Sequence, residues 1–363
     1  MKKTALGILL LAALTGACKK NQKVKPRDYK AVIHKNLSDF RLFGNMNNHG
    51  GNLSPVSGSL AYELVSPLFS DYALKFRTIR LPGDEAAIYD EKNIFDLPVG
   101  TVITKTFAFP DDFRAPQKKI RLYETRLLIR QGDGWLALPY VWNDEQTEAI
   151  LAPAGKTIPV AFVDTTGKTV RFNYTVPAKN QCGSCHQVYE NGEQIIKPIG
   201  IKARHLNRDI DDAGVTKNQL AHWVSLKMLD AAGDPKIKSA DYHDAALPVD
   251  KRARAYLDIN CAHCHTSTGS AGIDSKLELD VYTTDKDKLG YCKIPGSAGK
   301  GGGGLKFDIV PGSPEKSILY YRTATDESGA MMPQIGRALV HKEGAQIIYD
   351  WIKGMPPENC SGS

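Results

Sequence analysis

Two short cysteine motifs carry the most specific chemistry in this sequence. Residues 182–186 read Cys-Gly-Ser-Cys-His and residues 261–265 read Cys-Ala-His-Cys-His, so both have the spacing C-x-x-C-H. Cysteines about one helical turn apart can form thioether bonds to the two vinyl groups of one porphyrin, and the adjacent histidine is then held against the iron. The sequence therefore predicts two covalently bound haem c groups. Their attachment residues and proximal iron ligands are Cys182, Cys185 and His186 for the first haem, and Cys261, Cys264 and His265 for the second.

Redox dithiols and zinc sites also use paired cysteines. A redox dithiol would not need a histidine in both motifs, and the surrounding sequence lacks the βαβ pattern of thioredoxin-like proteins. A zinc site built from all four motif cysteines would leave His186 and His265 without a role. Covalent haem gives a role to all four motif cysteines and to both of these histidines, and it is therefore the preferred interpretation.

A methionine next to a proline indicates the sixth ligand of the second haem. Met332 precedes Pro333 in the part of the chain that follows His265. A thioether on a loop that proline stiffens is what an axial methionine needs. Met331 is the alternative, and Met332 is preferred because it directly precedes the proline. His263, inside the second motif, is expected to point to solvent.

The sixth ligand of the first haem has no comparable marker. His205, His222 and Met228 all follow His186 at feasible separations. None of them precedes a proline, so all three stay open, together with a five-coordinate iron. An open position would permit small-molecule binding or peroxide chemistry, whereas two strong ligands favour electron transfer alone.

The N-terminus predicts export and lipid anchoring. Two lysines precede an apolar run of about ten residues, which is too short to span a bilayer and is typical of a secretory signal. The run ends in Leu-Thr-Gly-Ala-Cys at 14–18, which resembles a bacterial lipobox, so Cys18 is the predicted lipidated N-terminus after removal of residues 1–17. A signal without lipidation is the alternative. Residues 18–35 are polar and basic and are predicted to form a flexible tether.

The remaining cysteines are predicted to form a disulfide. Of the seven cysteines, four belong to the haem motifs and Cys18 is predicted to carry lipid. Cys292 and Cys360 remain, and an oxidising compartment favours their pairing over two free thiols. Closing a loop of about 68 residues would stabilise the fold by roughly 4 kcal/mol in the chain-entropy model.

The apolar pattern predicts a β-rich first part and a helical second part. Between residues 36 and 178 apolar residues tend to alternate between turns, which indicates an antiparallel β-sandwich or barrel-like domain. Residues 179–247 and 248–363 show helical periods and are predicted to be two mostly α-helical haem c modules, the second similar to class I cytochromes c. The predicted strands are 74–81, 102–109, 120–130, 134–142, 157–163 and 169–176, and the predicted helices include 216–229, 250–260 and 343–353.

Composition excludes two further classes of protein. A hydrophobic content of 42% is ordinary for a folded globular protein and excludes disorder as the main state. The net charge of +7 is modest and is not gathered into a basic block, so no nucleic acid is expected as a partner.

The whole pattern resembles a family of exported bacterial two-haem c-type cytochromes, in which a β-rich segment precedes two C-x-x-C-H sites. The resemblance implies haem binding and electron transfer, and it supplies no substrate. The segments that carry it are 68–72, 97–101, 124–128, 180–186, 260–265 and 331–337.

These features predict a membrane-anchored, periplasm-facing lipoprotein that passes single electrons between protein redox partners. The β-rich domain is expected to be a docking or substrate-sensing module. The alternative is a peroxidase-like haem oxidoreductase in which the first haem is the reactive centre. The sequence favours a carrier over a catalyst, and the sixth ligand of the first haem distinguishes the two.

Overall fold

The computed structural model describes residues 30–46, 53–212 and 214–361. The predicted signal segment, Cys18 and most of the predicted tether lie outside these residues. Within the described ranges, no helix has the length and apolar character needed to cross a membrane.

An antiparallel sheet of six strands dominates the N-terminal half. Its strands pair in chain order, so each one neighbours the strand before it in the sequence. Their bounds are β1 Ser59–Ala61, β2 Leu74–Arg80, β3 Val102–Pro110, β4 Ile120–Gln131, β5 Gly134–Trp142 and β6 Ala149–Leu151. A separate hairpin follows, with β7 Lys156–Val163 and β8 Thr169–Val176. The six predicted strands correspond to β2, β3, β4, β5, β7 and β8 and are confirmed. The large sheet is open at β1 and β6 and is not a closed barrel.

One face of this sheet is covered by the N-terminal segment. Leu37 and Leu42 are almost completely buried there and pack in one cluster with Leu127 of β4. The same face carries a buried threonine pair, Thr78 and Thr104, whose hydroxyl oxygens lie 2.7 Å apart. Each buried hydroxyl therefore has a hydrogen-bond partner, as burial requires.

The opposite face, here called the inner face, is buried against the rest of the chain. At one end the β7–β8 hairpin covers it, and the rings of Phe109 and Phe162 stack with centroids 5.8 Å apart. At the other end Ile79 and Ile103 pair across β2 and β3 and join an apolar core that includes Ile348, near the C-terminus. This core contains residues of all three predicted domains.

The prediction of mostly α-helical cytochrome c modules is wrong. Strands make up 28% of the structure and helices 20%. The region after residue 178 contains two small hairpins, formed by β9 Gln187–Glu190 with β10 Glu193–Ile196 and by β11 Asp209–Asp212 with β12 Val215–Asn218. Its helices are α1 Gly183–His186, α2 Ala203–Leu206, α3 Gln219–Ser225, α4 Val249–Asn260, α5 Gly272–Ser275, α6 Lys286–Leu289, α7 Ile318–Ala324 and α8 Lys342–Lys353.

The predicted helix at 216–229 shows why the helical prediction failed. Its first residues pair in β12 instead, and the Asn218 side chain accepts hydrogen bonds from the N–H groups of Leu220 and Ala221. This N-cap starts a helix of only seven residues. Apolar periodicity over so short a window does not sustain a helix by itself, because helix nucleation is costly and tertiary packing has to repay it.

The two longest helices, α4 and α8, agree with their predicted positions, and each has 12 residues. They pack on each other and bury Leu257 and Ile348 completely. The indole Nε1 of Trp351 donates to Asp250 Oδ1 at 2.8 Å and joins the end of α8 to the start of α4.

A buried ion pair ties α4 to the segment that follows the first motif. The side chains of Arg204 and Asp258 are 4% and 0% exposed, and Arg204 Nε lies 2.7 Å from Asp258 Oδ2. Arg204 Nη2 donates to Oδ1 at 2.9 Å, which completes a bidentate contact. Burial alone would raise the pKa of Asp258, but the hydrogen bonds from Arg204, together with the electrostatic effects of His205, Arg204 and Lys202, outweigh it and the pKa is lowered. Asp258 is therefore buried as a carboxylate.

Arg204→Met should strongly destabilise the protein. The variant keeps an apolar stem of similar length but leaves the Asp258 carboxylate buried without its guanidinium. We expect the free energy of unfolding, measured by equilibrium denaturation in urea, to fall by about 3–5 kcal/mol.

The matched control is Arg114→Met. Arg114 pairs with Asp112 at the surface, where its side chain is 56% exposed, so its loss should leave the stability nearly unchanged. Equal losses in the two variants would contradict a specific role for the buried pair.

Candidate haem-binding site

The first motif forms a single helical turn, α1, which continues from a 3₁₀ turn at Lys179–Gln181. His186 Nδ1 lies 2.8 Å from the carbonyl oxygen of Lys197. Because a carbonyl only accepts, Nδ1 carries the proton and the lone pair of Nε2 is free to bind a metal ion. Burial lowers the pKa of His186 to about 4, which keeps the imidazole neutral.

The second motif follows directly from α4. His265 Nδ1 lies 3.0 Å from Ser275 Oγ, and that hydroxyl donates to the Ala271 carbonyl at 2.8 Å. The serine oxygen therefore accepts from Nδ1, and Nε2 of His265 is again free for a metal ion. Burial lowers the pKa of His265 to about 4.

Met332 and His265 line the same cavity, here called the second cavity, together with Cys261 and Cys264. Met331 is not part of its lining. The chain thus brings together the proximal and sixth ligands predicted for the second haem. The expectation that His263 points to solvent is wrong, because His263 also lines this cavity and its Nδ1 is buried without a hydrogen-bond partner among the described residues.

The loop that carries Met332 is held by Arg337, which is only 7% exposed. Its Nε donates to the Met332 carbonyl at 3.0 Å. Its remaining N–H groups donate to the carbonyls of Leu339 at 3.1 Å, Thr325 at 2.7 Å and Arg322 at 3.2 Å. One guanidinium therefore satisfies four backbone carbonyls and fixes the loop from inside.

The segment 68–72 joins this loop to the second motif. Asn260, immediately before Cys261, accepts a hydrogen bond from the N–H of Phe69 at 2.8 Å. Asp71 Oδ1 accepts from the N–H groups of Ala338 and Leu339, both at 2.7 Å. The β-rich part of the chain thereby positions both walls of the second cavity.

The two motifs touch each other. Cys264 Sγ lies 3.4 Å from the carbonyl oxygen of Ser184, and Ser270 Oγ donates to the same oxygen at 3.1 Å. Cys185 lines both cavities. A hydrogen bond between the thiols of Cys185 and Cys264 lowers the pKa of Cys264 to about 7 and raises that of Cys185 to about 12. The predicted attachment points are therefore neighbours, although Ser184 and Cys264 are 80 residues apart in the sequence.

The cavity at the first motif, here called the first cavity, lies between α1 and the inner face of the sheet. Cys182, Cys185 and His186 line it on the side of the motif. Its apolar lining includes Leu64, Leu68, Ile103, Leu128, Ile199 and Ile259. The inner face also presents three cations to it, from Arg77, Lys105 and Arg126.

None of the three candidates for the sixth ligand of the first haem lines the first cavity. His205 is 2% exposed, with its Nε2 3.3 Å from Asp258 Oδ2 and its Nδ1 3.4 Å from Ser239 Oγ. His222 Nε2 faces Asp212 at 3.7 Å, and Met228 packs against the apolar core. The structure therefore leaves these three side chains committed to other contacts.

Sequence reasoning missed the cations of the first cavity and the loop-holding role of Arg337. Arg77, Lys105 and Arg126 each occupy a predicted strand, so alternation alone could have placed each of them on one side of its strand. Which side is buried, and what it faces, depends on where α1 docks, and no local pattern contains that information.

The residues present fit a covalently bound haem. Each cavity offers two cysteine thiols and an imidazole with a free Nε2, and apolar side chains line it to receive a porphyrin. In the described part of the chain, no group of three or more His, Cys, Asp or Glu side chains is arranged to hold a metal ion directly. Cys292 and Cys360 lie apart from the motifs and are joined by a disulfide.

Comparison with known proteins gave no match among protein-family models, curated proteins or solved structures.

Arg337→Leu should loosen the Met332 loop. The substitution removes the donor from the carbonyls of Met332, Thr325 and Leu339, whereas the Arg322 carbonyl keeps the N–H of Met332. We expect the free energy of unfolding to fall by about 1–3 kcal/mol. Amide hydrogen exchange should accelerate most across residues 322–339, as mass spectrometry of peptides can measure. The control is Arg121→Leu, at the start of β4, where the side chain is 40% exposed and pairs with Asp144. Acceleration spread evenly over the chain would contradict the local role of Arg337.

Proposed function

We propose that this protein is a two-haem c-type cytochrome that transfers single electrons. The observation that carries the proposal is the contact between the two C-x-x-C-H motifs, each beside its own largely apolar cavity. Motifs that touch would hold two redox centres close enough to exchange electrons within one chain. When bound, haem supplies one-electron redox chemistry at its iron.

The chain contributes attachment, axial ligation and exclusion of water. Lys197 and Ser275 orient His186 and His265 so that each presents Nε2 to its cavity. Met332 shares the second cavity with His265 and would supply a thioether ligand there. The residues that would form the thioether bonds are Cys182, Cys185, Cys261 and Cys264.

A peroxidase-like haem oxidoreductase is the second candidate, and one observation favours it. The three predicted sixth ligands of the first site, His205, His222 and Met228, lie outside the first cavity. An iron without a strong protein ligand at its sixth position can bind small molecules. A high-spin spectrum of the first site that changes on adding peroxide would favour this alternative over a pure carrier.

The sequence features of the N-terminus extend the proposal to location and partners. A lipid on Cys18 would anchor the protein to a bacterial membrane on its periplasmic side, and the tether at 18–35 would let it reach protein redox partners. An intact mass with an unmodified N-terminus would contradict this part alone.

The proposal predicts two covalent haems per chain. Intact mass spectrometry of the purified protein should show two added porphyrins, and denaturing electrophoresis should retain a haem-stained band. The pair Cys261→Ala and Cys264→Ala should halve the haem content, whereas Cys292→Ala with Cys360→Ala should leave two haems. A chain mass without any added porphyrin would overturn the proposed function.

Met332→His should change one haem and spare the other. Methionine ligation raises the reduction potential relative to histidine, so the potential of the second haem should fall by more than about 100 mV, within the ~0.8 V range that axial ligands span. Potentiometric titration of the holoprotein measures this. Met331→His is the matched control and should leave both potentials in place; the opposite result would transfer the ligand role to Met331.

A further inference from the structure

Three cations form a row across the inner face of the sheet. The register of the strands places Arg77 opposite Lys105 and Lys105 opposite Arg126. Like charges directly opposite each other on neighbouring strands destabilise a sheet, and burial increases that cost. An anion has to compensate the row if it is to be stable in this position.

Glu124 compensates only one end of the row. It is fully buried, and Arg126 Nη2 donates to its Oε2 at 2.9 Å while Arg126 Nε contacts Oε1. The hydroxyl of Tyr174 also donates to Oε2, at 2.8 Å. These contacts occupy the carboxylate, which acts on Lys105 only at longer range and without an ion pair.

Arg77 and Lys105 have no anionic partner among the described residues. Arg77 is only 9% exposed; its Nη1 donates to the Lys75 carbonyl at 3.3 Å, and its Nη2 is buried without any hydrogen-bond partner. The Nζ of Lys105 lies over the ring of Phe107, 4.8 Å from its centroid, and makes no hydrogen bond or ion pair within the described ranges. Neither cation therefore forms an ion pair in the described part of the chain, and Glu63 acts on Arg77 and Glu124 on Lys105 only at longer range.

The electrostatics agree with a missing anion. Burial lowers the pKa of Lys105 well below its ordinary value, and the positive charges of Arg77, Lys75 and Arg126 lower it further. Burial also lowers the pKa of Arg77. A negative group in the first cavity would reverse both effects.

We propose that Arg77 and Lys105 bind the two propionate carboxylates of the haem attached at Cys182 and Cys185. Both cations line the same cavity as these cysteines and His186. Two cations without an ion pair match in number the two carboxylates of one haem. Arg77 offers its free Nη2 as a donor, and Lys105 offers an ammonium group. The inference rests on the proposed function and goes beyond it, because it makes the β-sheet a wall of the cofactor site.

The position of Arg126 fits this assignment. The charge of Arg126 acts on the thiol of Cys182, so Arg126 lies near the cysteines that would bind the vinyl groups of the haem. Arg77 lies two strands away, on β2. The vinyl groups and the propionates occupy different edges of a porphyrin. Arg126, already paired with Glu124, is thus at the end where no carboxylate is expected.

The test is a potentiometric titration of the full holoprotein and its variants. Arg77→Leu and Lys105→Met each remove a positive charge beside the carboxylates. Loss of that charge stabilises the ferric state relative to the ferrous state. We expect each to lower the potential of one haem by about 59 mV, a tenfold change in the one-electron equilibrium constant. The reduction potential that changes should be that of the first haem, which Met332→His leaves unchanged, and the protein should still contain two haems.

The controls separate charge from folding. Arg77→Lys keeps the positive charge and should restore most of the potential. Arg121→Leu removes a charge at the start of β4, where the side chain is 40% exposed and pairs with Asp144, and should change neither reduction potential. Unchanged potentials in Arg77→Leu and Lys105→Met, with both haems bound, would overturn the inference alone. A changed axial-ligand spectrum in Lys105→Met would overturn it in favour of iron ligation by Lys105. Absence of covalent haem from the wild-type chain would overturn the proposed function instead.

Discussion

The inner face of the six-stranded sheet carries apolar side chains at both ends and a row of cations across its middle. Such a surface can neither face water nor pack uniformly against hydrocarbon, because its ends need apolar partners and its middle needs an anion. The β7–β8 hairpin covers one end and the core around Ile348 covers the other. The charged middle is left to border the first cavity, and the position of the first motif follows from this division.

The second cavity depends on the sheet indirectly, through the segment that precedes β2. Phe69 and Asp71, which come just before β2, hold Asn260 and the backbone at Ala338. Movement of this segment would therefore move the second motif and the Met332 loop together. This coupling explains how a β-rich domain and two cysteine motifs form one structure, and it assigns the sheet a part in building the site in addition to any docking role.

Much of the local structure could be predicted. Alternating apolar residues located β2 to β5, β7 and β8 but not the short strands β1 and β6, and apolar stripes located α4 and α8. These patterns repeat over windows long enough to be recognised. The prediction of helical modules failed, since segments such as 216–229 contain a helical period that is too short to override pairing in β12. The position of His263 was predicted wrongly because a solvent-facing position is only a default, whereas here it interacts with Cys185 of the first motif and lines the second cavity.

The amino-acid sequence by itself determined the chemistry that the chain can offer: two C-x-x-C-H motifs, a methionine before a proline and a pair of remaining cysteines. These features are local, and their meaning depends on spacing along the chain. Only the tertiary structure decided that the two motifs touch, that Met332 and not Met331 reaches the cavity of His265, and that Arg77 and Lys105 are buried beside the first motif. Contacts between distant segments depend on how buried faces are matched, and this matching is a property of the whole fold.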